Sequence, residues 1–312
     1  MEVVNKKRWR RLFKWKKSAV VNEVSGFLCA MPVILGIIIF TLYPAIQAFI
    51  YSFHKFDGFN TYEFIGFKNY ETFFTRDRDT AALFTNTFTY ALVNVPLSMV
   101  LGYLLALLAN SKVKGIGVFR TLFYLPCVIP GVASSILWRD LFNPESGIIN
   151  AMLRILNLPT SQFFYAASSS MPTLIFTTIF TIGTNMVVWL GALKNVPPTL
   201  YEAADLEGAS YFRKLLTITI PLSTPMIFYN LVTGIIGSLQ VFSSFIIAGS
   251  SSGKGVDKSL YFLAVKIYNE AFVGTNPRLG YAAAIGVVLF IIIALLTAVT
   301  FATNKWVYYA DD

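Results

Sequence analysis

Six long apolar runs constrain this chain more than any other feature. They lie near Gly26–Ile50, Thr87–Ala109, Phe119–Leu137, Pro172–Leu193, Leu222–Ala248 and Tyr281–Ala302. About 20 mostly apolar residues suffice to cross the hydrocarbon core of a bilayer as a helix. Each run is close to that length, and the segments between them are too short to house a large soluble domain. The 312 residues carry 55% hydrophobic and 13% charged side chains, where a soluble domain carries about 25% charge. The fold class this predicts is all-α: a polytopic membrane protein with six transmembrane helices.

Charge sets the orientation. Lys6, Lys7, Arg8, Arg10, Arg11, Lys14, Lys16 and Lys17 precede the first run. Basic residues beside a first span stay on the cytoplasmic side with anionic lipid. With the N-terminus inside, 15 Lys and Arg fall in inner segments and 10 in the longer outer ones. N-in and C-in is therefore the expected topology. Three regions follow: a basic cytoplasmic arm at 1–25, a six-span domain at 26–306 and a short cytoplasmic tail at 307–312. The formal charge of +9 is concentrated in the arm and points to membrane lipid, with no nucleic-acid partner. The first run is too long for the hydrophobic stretch of a signal peptide.

The segment from Lys194 to Pro221 reads KNVPPTLYEAADLEGASYFRKLLTITIP, polar and on the predicted cytoplasmic side. Pro198 suits the first turn of a helix, and Gly208 suits a helix end with positive φ. Ser210 suits the N-cap of a second helix. The spacing predicts a helix–turn–helix lying on the membrane face. The segment resembles the EAA loop of the permease subunits of binding-protein-dependent ABC importers. That pattern is Glu-Ala-Ala, three residues, Gly, nine residues, Ile, one residue, an aliphatic residue and Pro. Here Glu202, Ala203, Ala204, Gly208, Ile218, Ile220 and Pro221 match it, with Ile220 where Leu is more usual. The resemblance implies an importer permease fold in the bacterial inner membrane. It also implies that Tyr201, Glu202, Ala203, Ala204, Asp205 and Gly208 form a coupling helix docking on an ATPase subunit.

Other stretches resemble the sugar-uptake branch, maltose-permease-like in type: Ile65–Tyr70, Phe119–Asn150 and Gly280–Phe290. The outer loop after the fifth run departs, with Ala248-Gly249-Ser250-Ser251-Ser252-Gly253 where the branch often has Leu-Thr-x-Gly-Gly-Pro. The partners implied are a second EAA-bearing permease, making a heterodimer, two ABC ATPase subunits and an extracytoplasmic solute-binding protein. No cofactor is expected on this chain; ATP and Mg belong to the ATPase subunits. Gly249–Gly255 is one residue too short for a phosphate-binding loop and lacks its Ser or Thr.

Residues at i, i+4 and i+7 share a helix face. Thr233, Gly237, Gln240 and Ser244 make such a stripe in the fifth run, and Thr177, Thr181 and Thr184, beside Asn185, another in the fourth. Neutral amides and hydroxyls at membrane depth suit a path for an uncharged sugar, though small polar residues also serve as helix-packing surface. A permease for glycerol phosphate is the alternative within transport, and a basic lining would favour it. A membrane-embedded enzyme would need ionisable or metal-binding clusters in the runs. A secondary carrier would show internal repeats. Neither signal is present. His54 is the sole histidine, and Cys29 and Cys127 the two cysteines, so neither a catalytic triad nor a metal centre is expected.

Overall fold

The computed structural model describes residues 25–111, 113–250 and 252–308. The basic arm at 1–25, except its last residue, lies outside them, as do residues 309–312 of the tail. The chain divides into two compact units, Met1–Tyr51 and Ser52–Asp312. In the first unit, helix α1 (Ser25–Tyr51) is one apolar span, with a π-helical stretch at Ile38–Leu42.

The second unit begins with a hairpin, β1 (His54–Phe56) and β2 (Tyr62–Phe64), paired antiparallel with Lys55 opposite Glu63. A short helix α2 (Lys68–Glu71) follows, then the 30-residue span α3 (Thr80–Ala109). The third run is bent. Helix α4 (Ile116–Tyr124) tightens into a 3-10 turn at Leu125–Val128 and breaks before α5 (Gly131–Leu141) at 96°. Pro130 forces this break, because a residue before proline is pushed to extended geometry; Ile129 has ψ 128°. Helix α6 (Ile148–Ile155) lies between this span and the next.

The fourth run is also two helices, α7 (Ala167–Thr178) and α8 (Gly183–Lys194), at 47°. No proline sits at the joint. Instead, Thr177, Thr178 and Thr181 donate their hydroxyls to the carbonyls of Leu174, Ile175 and Thr178 (2.7, 2.7 and 2.9 Å). Such back-bonding competes with the helical ladder and bends it. Gly183 lies where this joint crosses the other bent span: a Cβ there would sit 2.0 Å from the Phe123 carbonyl oxygen. Helix α9 (Pro198–Leu206) precedes α10 (Tyr211–Leu239), a 29-residue span. Pro225 within it leaves the Pro221 carbonyl without its helical donor, and the Thr224 hydroxyl fills that place at 2.7 Å, as expected where no water can do so. Helices α11 (Ser243–Ile247), α12 (Leu263–Phe272) and the span α13 (Leu279–Ala302) complete the unit.

Counting each bent pair as one span gives the six expected. Span α3 is central and packs on α8 and α10; α12 and α10 both pack on α13. One apolar core gathers Phe73, Leu83, Tyr90, Leu239, Phe262 and Ile285. A second, smaller one gathers Ala106, Met186, Trp189 and Leu193 toward the α9 end.

Candidate functional site: a coupling helix, a polar cavity and an ionic staple

The segment around α9 has the local geometry its sequence predicts. Pro198 opens the helix. Gly208 closes it with φ +74°. The Ala209 amide donates to the Ala204 carbonyl (2.9 Å) and the Gly208 amide to the Asp205 carbonyl (3.1 Å). This is a Schellman closure, which calls for a left-handed residue after the helix. Ser210 then caps α10 by accepting from the Arg213 amide. The turn is braced by an ion pair between Lys214 and Asp205 and by a 2.8 Å hydrogen bond between the Tyr201 and Thr219 hydroxyls.

Tyr201, Glu202 and Asp205 line a recess of about 550 Å³ behind the helix, together with Asn110, Lys194 and Lys214. Ala203 and Glu202 are exposed. Outside this recess are exposed apolar residues that the motif did not single out: Leu206 is 91% and Phe212 73% exposed.

At membrane depth the structure redraws the expected polar stripes. The one through Thr233, Gly237, Gln240 and Ser244 does not form, because the helix stops at Leu239. Gln240 is the exposed C-cap, with φ −102° and ψ 19°. Ser244 lies on α11, wholly buried, its hydroxyl without a partner among the described residues. Thr233 is exposed and bonds the Tyr229 carbonyl of its own helix at 2.9 Å. On α8, Thr184 is exposed and does not line the cavity described next.

Two sequence candidates, Asn185 and Thr181, do meet in a cavity of about 260 Å³. Its other polar lining comes from Asn94, Ser98, Thr178, Asn230 and Ser238. Asn94 is the hub. Its Nδ2 donates to Ser238 Oγ (3.1 Å), while its Oδ1 accepts from Thr178 (2.7 Å) and Ser98 (3.4 Å). Three spans, α3, α7–α8 and α10, are joined there. The lining contains no ionised side chain. Sequence reasoning missed Asn94, the lone amide of the second run, and Asn230, which shares the fifth run with Gln240; an amide within an apolar run was the signal available. Thr178, Thr181 and Asn185 reach the same cavity from the bent pair, which no helical wheel drawn through a straight α7–α8 would show.

The far end of the second unit is tied by charge. Lys266 on α12 has a side chain only 6% exposed. It contacts Asp77 at 2.7 Å, Glu270 at 3.0 Å and Asp79 at 3.6 Å. Lys258 pairs with Asp79 and Arg278 with Glu270. The Tyr281 hydroxyl donates to Asp77 (2.7 Å). Burial pushes the Asp77 carboxyl up, but hydrogen bonds from Lys266 and Tyr281 outweigh it and hold the group below the ordinary carboxylate range. For Asp79, burial again opposes and the Lys258 hydrogen bond and Lys266 charge prevail, also lowering it. Burial disfavours the charged form of Lys266, yet its carboxylate partners raise it above an ordinary lysine. The staple joins the segment before α3 to α12 and to the start of α13. Among the described residues no group of three His, Cys, Asp or Glu could hold a metal ion.

A helix–turn–helix at one end of the second unit, a neutral cavity between three of its spans and a tied opposite end define a class: a multi-pass transport permease. Residues 98–308 match the family described as the binding-protein-dependent transport system inner membrane component, and the chain belongs to it. It is a permease subunit of the bacterial inner membrane and not an enzyme. The chain is 33% identical over 299 residues to the probable ABC transporter permease protein YesP of Bacillus subtilis (strain 168), covering 95% of this chain and 96% of that one. It is 30% identical over 282 residues to the lactose transport system permease protein LacF of Rhizobium radiobacter, covering 89% and 93%. Its fold is similar to a chain of the bacterial alginate ABC transporter, solved in complex with an alginate pentasaccharide-bound periplasmic protein. That match has a TM-score of 0.79 at 22% identity, over 92% of this chain and 96% of the other.

Proposed function

We propose that the chain forms the transmembrane path for a neutral sugar or oligosaccharide. A soluble receptor delivers the solute on the face bearing the ionic staple, and ATPase subunits power import from the face bearing α9. A second EAA-bearing permease completes the pathway. The carrying observation is the cavity around Asn94. Amides and hydroxyls there can exchange hydrogen bonds with sugar hydroxyls, and no fixed charge discriminates against a neutral solute. About 260 Å³ is room for roughly one sugar ring at a time, so a longer saccharide would thread through. A phosphorylated solute fits less well, because the lining offers no Lys or Arg. Import is alternating access, with motion at α9 conveyed into α8 and α10, the two helices it directly connects.

Tyr201, Glu202, Ala203, Ala204, Asp205 and Gly208 serve coupling in this reading. Asn185 and Thr181, joined by Asn94, serve the path. Thr184, Thr233, Gln240 and Ser244 serve packing or surface roles. The test is uptake kinetics in proteoliposomes. Asn94→Leu and Asn185→Leu should each weaken apparent affinity about tenfold, the scale of one or two lost hydrogen bonds. Thr184→Val and Gln240→Leu should leave it unchanged. The opposite ranking, with the Asn variants at parental affinity, would remove the cavity from the path.

A further inference from the structure

Helix α6 is inside out for a water-exposed loop. Viewed down its axis, Asn150 and Arg154 fall on one side with Ile149 and Leu153, while Ile148, Ala151, Met152, Ile155 and Leu156 cover the other. The polar side is used up in hydrogen bonds to the flanking segments, with Asn150 turned inward and Arg154 at the surface. Asn150, 1% exposed, donates to the Pro144 and Ser161 carbonyls (3.1 and 2.8 Å) and accepts from the Ser161 amide (3.1 Å). The Arg154 guanidinium is spread over the carbonyls of Asn150, Pro144 and Glu145 (3.3, 3.3 and 3.2 Å). The apolar side faces outward: Ile155 is 79% and Leu156 66% exposed.

The position of the helix along the membrane normal follows from connectivity. Residues 142–147 link it to α5 and residues 156–166 to α7, and each of those helices is half of a span. Six residues reach at most about 20 Å, so α6 stays beside the ends of two spans. Span α7–α8 leads to α9 at its far end, so α6 lies at the opposite membrane surface from the coupling helix.

We propose that α6 is an interfacial helix, its Ile148, Met152 and Ile155 face sunk into the headgroup–acyl boundary of the outer leaflet. Composition selects lipid over protein as the occupant. Protein-docking surfaces are enriched in aromatic residues, Met and Arg and form about one hydrogen bond per 100–200 Å². The outward arc of α6 contains only aliphatic side chains and one Met, with no aromatic ring and no polar side chain. Such a face gains from burial in acyl chains and offers a protein partner no directional contact. The buried Asn150 contacts fix its rotation, so the apolar side cannot turn inward without stranding that amide. This reading is independent of which solute is carried.

The experiment is spin-label accessibility on the full chain in its assembled transporter, reconstituted into phospholipid bilayers. Cys29→Ala and Cys127→Ser provide the background. Labels are placed singly at Met152→Cys, Ile155→Cys and, as an aqueous reference, Glu145→Cys. Oxygen, which concentrates in the bilayer, should relax the labels at 152 and 155 more than a water-soluble nickel chelate does. The reference label should show the reverse. Nickel relaxing 152 and 155 as strongly as 145 would overturn the proposal by placing the face in water. Exclusion of both reagents at 152 and 155 would overturn it in favour of a protein partner.

Discussion

A Cβ on Gly208 would meet nothing within 4 Å, so the need for glycine there comes from φ +74° alone. An L-residue in that region costs about 1–2 kcal/mol, and a β-branched one is the least tolerant. Lys266 is fixed by the opposite circumstance, since its surroundings and not its backbone dictate it. Lys266→Met would leave Asp77, Asp79 and Glu270 around an apolar side chain. Removing one partner of a buried pair costs about 3–5 kcal/mol, and exposed Arg278 and Lys258 offset only part of that. The pH dependence has a definite sign. Asp77 and Asp79 are lowered in the folded chain, so their contribution is full above the unfolded value of about 3.9 and declines as pH falls through the folded values. Lys266 is raised, so its contribution is lost only as pH climbs past the ordinary lysine value of about 10.4 toward its folded one. Thermal unfolding of the purified protein should therefore show Lys266→Met well below the parent at pH 7. The gap should narrow below about pH 4. A constant gap across that range would mean the carboxylates do not depend on Lys266.

Elements show which parts of the fold a sequence can reveal. The α9–turn–α10 unit was legible residue by residue, because Pro198, Gly208 and Ser210 act through local backbone geometry. The apolar runs were legible because bilayer thickness sets their length. The bend between α7 and α8 was not, since threonine hydroxyls bond either to their own helix or across a bundle, and spacing alone does not decide. The end of α10 at Leu239 was hidden within a continuous apolar run, which drew Gln240 and Ser244 into a stripe they do not share. The acid–base staple was hidden because Asp77 and Asp79 are far in sequence from Lys258, Lys266 and Glu270, and each group reads as loop charge. On the coupling unit, the exposed Leu206 and Phe212 have the form of anchors for a cleft on an ATPase subunit. Leu206→Asp and Phe212→Asp should leave membrane insertion intact and reduce ATPase subunits co-purifying with the chain by at least about tenfold, the scale of a lost anchor. Stoichiometric co-purification of both variants would shift the docking surface elsewhere.

At the scale of the whole molecule, the cavity and α9 are joined by shared elements. Helix α8 carries Asn185 into the cavity and ends at Lys194, one short turn before α9. Span α10 begins at Tyr211, just after the Gly208 turn, and carries Asn230 and Ser238. A displacement of α9 is thus delivered to two of the three cavity walls. The third, α3, is held by the Asn94 hydrogen bonds. In the proposed function, α9 conveys ATPase motion to the solute path through the Gly208 turn. This coupling is tested most directly by Gly208→Val, with receptor-stimulated ATP hydrolysis and solute uptake measured together in proteoliposomes. Normal insertion and assembly of the six spans is expected, with loss of receptor stimulation and loss of uptake. Receptor stimulation and uptake both at the parental rate would contradict it.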